Sequence, residues 1–298
     1  MKVLVYGAAG SQQFPVIKAL LNKGAEVFAT THTEANLEKL SQEGATALFA
    51  DMSDESRLKE VSKGIDAVSL LVPFFLANPN DGFEYAKNAI NAAIANNVKL
   101  LVWNSSGFIL PVKIGNPAMD IRLDILEYLK QSGLPYIVIQ PSAYAENLLG
   151  PWTAPFVKND KKVAYPTPEE MPIGWIATKD VAALVAEAIY KPELAGNSFL
   201  VSGLENLNGT DLALKFSTGL NEKITFYPMP PKEFGQILDG LFGPGAGKGA
   251  EEAYQQFADS KQYPLMFSPE MPNIIEKLPV KMTSIEDWVA QHSQFFKN

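Results

Sequence analysis

The sequence predicts an α/β protein: a doubly wound parallel sheet followed by a smaller C-terminal α/β lobe. Three observations carry this. Apolar runs alternate with segments of helical spacing across the first half of the 298 residues. The first run, Val3-Leu4-Val5-Tyr6, passes directly into a glycine turn and then into a helical pattern. The second half keeps both kinds of segment but loses the regular alternation.

In order, strands are expected at 2–6, 26–31, 46–50, 66–71, 99–104 and 135–140. Between them, 14–22, 34–42, 54–62, 82–96 and 118–131 carry apolar residues at helical spacing. Gly24 and Gly133 follow helices, where a left-handed cap is wanted. Ser53 and Asp54 stand where an N-cap is wanted. Parallel strands joined by right-handed crossovers follow from this alternation. Further on, a helix is expected at 179–190 and a strand at 197–201, both returning to the first domain. The pattern then gives a helix at 210–218, a strand at 223–227, a helix at 231–241 and a final amphipathic helix at 284–296. Prolines clustered in 151–172 and 264–279 mark irregular segments. The expected division is 1–150, with 179–202, as a dinucleotide-binding domain, and 151–178 with 203–298 as a substrate or partner lobe. No internal repeat is present.

At 47% hydrophobic and 19% charged, the chain can bury a large core and lacks the composition of disorder. A net charge of −8 argues against nucleic acid as a partner, because phosphate backbones are held by clustered Lys and Arg. The absence of cysteine excludes disulfides and thiolate chemistry, and with His32 and His292 as the only histidines no metal site is expected. The first residues already read as a strand, not a signal peptide, and no apolar run is long enough to span a bilayer. The expectation is a soluble cytoplasmic protein, monomeric or homodimeric, with no membrane partner. The run 243–249 invites a phosphate-loop reading and fails it. Phe242 stands at the first glycine position, Gly249 replaces the magnesium-binding hydroxyl, and no strand precedes. A flexible surface loop, able to act as a lid, is expected there.

The turn Gly7-Ala8-Ala9-Gly10-Ser11-Gln12-Gln13 sits between a strand and a helix start. Backbone N–H groups at such a helix start point at an anion, and glycine lets the backbone approach it, so the turn reads as a pyrophosphate site. Gly7 makes the turn and Gly10 allows the approach. Gln13 stands where a third glycine lets helix and sheet pack closely. Its side chain is expected to push the helix slightly outward or to point to solvent. Pro15 falls in the first helical turn, where its missing N–H costs little. At the end of the second strand, Thr30-Thr31-His32-Thr33 offers neither the acidic residue that reads a ribose 2′-hydroxyl nor the arginine that pairs with a 2′-phosphate. Thr31 and His32 can serve either group, or be ordinary strand-end residues. Asp51, at the end of the third strand, stands near an adenine or simply caps a turn.

The glycine turn is followed in order by Asp51-Met52-Ser53-Asp54, Trp103-Asn104-Ser105-Ser106, Gly133-Leu134-Pro135-Tyr136, Gln140-Pro141-Ser142-Ala143-Tyr144-Ala145-Glu146-Asn147 and Thr178-Lys179-Asp180-Val181-Ala182. This series resembles the NmrA-like group of atypical short-chain dehydrogenase/reductase proteins across essentially the whole chain. The resemblance implies a Rossmann fold and NADP(H) in preference to NAD(H). It implies that Gly7, Gly10, Ser11 and Gln12, with Ala9 and Gln13 in the same turn, lie at the phosphates. Asp51 and Met52 then lie near adenine, and Val72, Pro73 and Phe74 line the nicotinamide ribose; Asn104, Arg122 and Tyr144 complete the cofactor set. The chain departs from the pattern at Ala9, where Thr is usual, at Gln13, and at Gln140, which replaces Arg. Arg122 stands where reducing members carry Lys, and Ala118 where the Tyr of a Y-x-x-x-K pair would fall.

Ser105, Ser106 and Arg122 are therefore the polar candidates for catalysis. The alternatives are that the serines satisfy the strand end and that Arg122 is a solvated charge. Phe74, Trp103, Tyr144, Asn147 and Trp175 are candidates to line a substrate cleft, with core packing as the other reading of each aromatic and a brace of the loop after the sixth strand as that of Asn147. Three functions fit. The first is an NAD(P)H-dependent reductase of a quinone-like or other small aromatic acceptor, which needs little acid help because water can protonate the product. The second is a non-catalytic redox sensor that binds a regulatory protein partner. A nucleotide-sugar epimerase ranks last, since it usually needs the missing Tyr-Lys pair.

Overall fold

The computed structural model describes residues 1–73, 76, 78, 80–260 and 265–297. Its strands are β1 (Lys2–Val5), β2 (Glu26–Thr31), β3 (Thr46–Phe49), β4 (Ala67–Leu71), β5 (Leu100–Asn104), β6 (Tyr136–Pro141), β7 (Ala143–Tyr144), β8 (Lys162–Tyr165), β9 (Trp175–Ile176), β10 (Ser198–Val201) and β11 (Thr225–Pro228). The α-helices are α1 (Phe14–Asn22), α2 (Leu37–Gln42), α3 (Glu55–Val61), α4 (Asp81–Ala95), α5 (Pro117–Gln131), α6 (Ala154–Asp160), α7 (Thr178–Ile189), α8 (Gly209–Leu220), α9 (Pro231–Phe242), α10 (Lys248–Ser260), α11 (Pro272–Lys277) and α12 (Ile285–Gln291). Among these helices none is long and apolar enough to cross a membrane.

The chain divides into two compact units. The first comprises Met1–Pro141, Thr178–Val201 and Pro272–Val280. Its sheet has seven strands in the order β10-β6-β5-β4-β1-β2-β3, with every pairing parallel. This is the doubly wound Rossmann arrangement. The strands read as apolar runs because helices cover both faces of a parallel sheet. On one face Leu58, Ile90, Ile125 and Leu129 close over Leu4, Val68, Leu70, Leu101 and Trp103. On the other, α1 packs against α7, where Lys23 pairs with Glu187 and Tyr190 Oη donates to Lys23 O at 3.1 Å. Gly24 and Gly133 take φ of +76° and +72°, the left-handed region their positions predict. Asp54 caps α3 by accepting from Arg57 N at 3.0 Å.

The second unit comprises Ser142–Ala177, Ser202–Met271 and Lys281–Asn298. The first unit thus ends its long stretch at Pro141 rather than 150, because Ala143-Tyr144 leaves the large sheet and pairs with Trp175-Ile176. Segments expected to be irregular or loop hold regular elements, and α11 lies within the second proline cluster. Within the first proline cluster lie α6 and β8. Pro155 sits in the first turn of α6, where its missing N–H costs nothing, and β8 pairs with β11. The glycine-rich run 243–249 makes a short turn after α9 and enters the first residues of α10. Gly247 N donates to Asp239 Oδ1 at 2.8 Å. A Cβ on Gly247 would fall 2.1 Å from Gly235 O, so only glycine fits that approach. The core of this unit holds Val163, Trp175, Phe216, Trp288 and Phe296.

Candidate dinucleotide site

The winding of the first sheet reverses between β1 and β4. Open α/β sheets place their ligand crevice at the carboxyl ends of the strands at such a reversal. The glycine turn lies there, directly after β1. Gly7 has φ +63°, which a side chain would strain. Ala8 N donates to Thr30 O at 3.0 Å and ties the turn to β2. Gly10 N donates to Gly7 O at 3.0 Å, and Phe14 N to Gly10 O at 2.8 Å, so the turn closes on itself before α1 begins. A Cβ on Gly10 would stand 3.3 Å from Gly7 O, tighter than ordinary contact. Ser11 is exposed at the tip, and the positive end of the α1 dipole opens beneath it. The chemistry of this cradle suits a phosphate group: backbone donors, no acidic side chain in the turn, and no Cβ at Gly7 or Gly10.

The two glutamines of the turn act in different directions. Gln12 Nε2 reaches across to Ser106 Oγ at 2.8 Å. Of the two placements expected from sequence, Gln13 does not take the solvent-facing one; it is fully buried beneath the turn. Its Nε2 donates to Tyr6 O at 3.2 Å and to Ser69 O at 3.3 Å, while its Oε1 accepts from Ser69 Oγ at 3.2 Å. Its carboxamide is thereby spent on β1 and β4. Ser69 was the missed signal: a lone hydroxyl in the buried run Ala67-Val68-Ser69-Leu70-Leu71 needs a partner.

The end of β5 forms a second turn. Asn104 is buried, and its Oδ1 accepts from Ser106 N at 2.9 Å. Ser106 sits at φ +54°, a left-handed conformation held by that bond and by Gln12. Ser105 is fully buried; its Oγ lies 2.6 Å from Gly107 O and 3.1 Å from Ile139 O, two acceptors for one proton. Its hydroxyl therefore satisfies the strand end. Arg122 is not a solvated charge. It is 9% exposed, its Nε donates to Ser105 O at 3.0 Å, and its Nη1 lies 3.2 Å from Met119 Sδ. The guanidinium underlies the 105–107 turn from α5. Gln140 is likewise structural, its Oε1 accepting from Ile109 N at 2.8 Å and its Nε2 donating to Ser198.

At the ends of β2 and β3, Thr31 Oγ1 accepts from Thr33 N at 3.1 Å and His32 is exposed. Asp51 Oδ1 accepts from Ser53 Oγ at 2.7 Å and Ser53 N at 2.8 Å. These bonds hold its carboxyl below the usual aspartate range, with a smaller contribution from the nearby His32. Met52 packs partly buried on the core below. After β4, Val72 is buried and Pro73 exposed; Phe74 lies outside the described residues.

The remaining candidates have separate places. Trp103 is fully buried in the first core, so core packing is its role. Tyr144, Asn147 and Trp175 belong to the second unit. Tyr144 is buried in β7, and Trp175 is 1% exposed, its ring edge-on to Tyr165 at 4.9 Å. Asn147 is exposed and hydrogen-bonds the Tyr165 hydroxyl, which lies 3.2 Å from that of Tyr254. Burial pushes both tyrosine hydroxyls up.

The NmrA-like family profile matches residues 1–289. The chain belongs to the NmrA-like family. The photosystem II assembly factor Ycf39 of Cyanophora paradoxa is 22% identical, over 95% of this chain and 88% of that protein. The NAD(P)H azoreductase of Xenophilus azovorans is 22% identical, over 80% of this chain and 81% of its own length. Among solved structures, the NADPH-dependent quinone oxidoreductase of Escherichia coli in complex with NADPH superposes with a TM-score of 0.79 at 21% identity. That match covers 98% of this chain and 99% of the other. At this identity the likeness is one of fold, and the NmrA-like turn described above is this chain's own variant of it.

Proposed function

We propose that this NmrA-like protein binds NADP(H) at the 7–13 turn and reduces a planar, electron-poor aromatic acceptor of the quinone or azo type. The observation that carries the cofactor is the turn itself: two glycines, an α1 N-terminus and a latch from Gln12 to Ser106, all at the reversal point of the sheet. Gly7, Gly10, Ser11 and Gln12 would hold the pyrophosphate, and Asp51 and Met52 would flank the adenine. The preference for a 2′-phosphate rests on the family resemblance, and Lys39, whose Nζ lies 4.2 Å from the Phe14 ring at the start of α1, is the cation we assign to it. When bound, the nicotinamide supplies a hydride.

The acceptor class is supported by the lack of a placed acid at the candidate catalytic positions among the described residues of the first unit. Position 118 is alanine, the Ser105 hydroxyl is spent on carbonyls, and an arginine does not release its proton. A quinone takes the hydride at one end and a proton from water at the other, leaving a hydroquinone, so no placed acid is required. The azoreductase and quinone oxidoreductase relatives act on acceptors of this kind by name. The Ycf39 relative, an assembly factor by name, supports the second reading, a dinucleotide-binding protein that docks a partner without turnover. Stopped-flow oxidation of NADPH against a quinone and azo-dye panel separates them. Turnover with any acceptor supports the reductase; tight NADPH binding with no turnover on the whole panel overturns it.

A further inference from the structure

We propose that Gln13 is a positioning residue for the dinucleotide: its buried carboxamide sets the height of the glycine turn above the sheet, so restoring the usual glycine weakens binding. This rests on the cofactor reading above. Four observations carry it. The backbone at Gln13 has φ −97° and ψ −25°, ordinary for any residue, so glycine is not needed there for conformation. The side chain is fully buried and makes contacts with two strands, through Tyr6 O just after β1 and through Ser69 O and Oγ in β4. Those strands flank the reversal of the sheet. The same residue also closes the turn through its backbone, N donating to Gly10 O at 3.1 Å and O accepting from Val16 N at 3.0 Å.

A third glycine lets helix and sheet pack closely. Here the carboxamide fills that space, and the helix stands on it. Neighbouring Gln12 fixes the turn sideways to Ser106, so the two glutamines hold it from below and from the flank. Truncation at Gln13 leaves Ser69 Oγ without this acceptor and opens a cavity under the turn. The turn then settles toward the sheet and its N–H groups lose their aim at the pyrophosphate. A turn held in its binding shape before the ligand arrives does not spend binding energy on ordering.

The test uses the full chain and three variants, Gln13→Gly, Gln13→Met and Gln13→Glu, titrated calorimetrically with NADP and in parallel with NAD. Gln13→Gly and Gln13→Met are each expected to raise Kd about tenfold, the size of one lost net hydrogen bond. Gln13→Glu supplies a readout that simple filling of space does not move. At about pH 8 its carboxylate faces the Tyr6 and Ser69 carbonyls and repels them, so the Kd ratio to the parent is high. At about pH 5.5 the buried acid takes up its proton, regains one donor, and the ratio falls. Equal or tighter binding by Gln13→Gly, or a Gln13→Glu ratio flat with pH, overturns the proposal. If Gln13→Gly fails to fold, the other two variants decide. A parent that binds neither nucleotide overturns the cofactor reading itself, a different result from a parent that binds and a glycine variant that binds better.

Discussion

Replacing Arg122 with methionine removes a support beneath the β5 turn. Arg122 Nε donates to Ser105 O at 3.0 Å, and a Cβ on Gly107 would stand 3.3 Å from Nη2, so the guanidinium fills the underside of the turn. Methionine keeps much of the apolar stem and cannot donate. Ser105 is fully buried, and its carbonyl loses a charged donor. A hydrogen bond from a charged group contributes about 1.5–3 kcal/mol, and a buried carbonyl left unpaired costs about 1–3 kcal/mol. These describe the same loss, so the expected destabilisation is about 2 kcal/mol. Arg122→Lys keeps the charge on a point donor without the planar fork, and about half that loss is expected. The local effect is larger than the global one. Ser106, at φ +54°, stays left-handed only while its surroundings hold it; once released it no longer presents Oγ to Gln12. Urea unfolding gives the global figure, and hydrogen exchange on a peptide spanning 104–108 gives the local one. Arg122→Met within about 0.5 kcal/mol of the parent, the range of an ordinary surface change, with unchanged exchange at 104–108, would refute the reasoning.

Three further outcomes are expected. Tyr6 is buried, which pushes its hydroxyl up to about 12 against a smaller downward pull from Ser62. Stability from the neutral phenol is full below the unfolded value of about 10 and is lost as pH rises through the folded one, by about 3 kcal/mol in all. Tyr6→Phe should flatten that alkaline slope in urea midpoints taken at about pH 9 and about pH 11; an unchanged slope contradicts it. Gly7→Ala should cost about 1–2 kcal/mol through its left-handed φ, since a Cβ there meets Leu71 O at an ordinary 3.8 Å; a thermal melt matching the parent rules this out. Gly10→Ala should lose binding out of proportion to stability: its Cβ, 3.3 Å from Gly7 O, lowers the melt modestly, while on the proposed cofactor reading it would stand in the path of the pyrophosphate and weaken NADPH binding strongly.

The large sheet was legible because parallel strands buried on both faces appear as apolar runs, and glycines at 24 and 133 marked the helix ends. The segments α6 and β8 were hidden by the prolines around them, since a proline in a first helical turn looks in sequence like one that breaks a helix. α9 was read from its helical spacing, but α10 was hidden for a related reason: glycines that permit a close helix approach, as Gly235 and Gly247 do, look like loop glycines. The position of the glycine turn was readable from local context alone. The direction of Gln13 was not, because it depends on Ser69, 56 residues away in the chain. The burial of Arg122 depends in the same way on the Ser105 carbonyl, which no helical pattern reveals.

Calorimetric titration of the parent and of Gly10→Val with NADPH, NADP, NADH and NAD decides whether the turn is a dinucleotide site. Saturable binding of one nucleotide per chain, tighter for the 2′-phosphorylated forms and abolished in a folded Gly10→Val, is the expected result. No binding of any of the four by the parent, or binding unchanged by the valine, would contradict it.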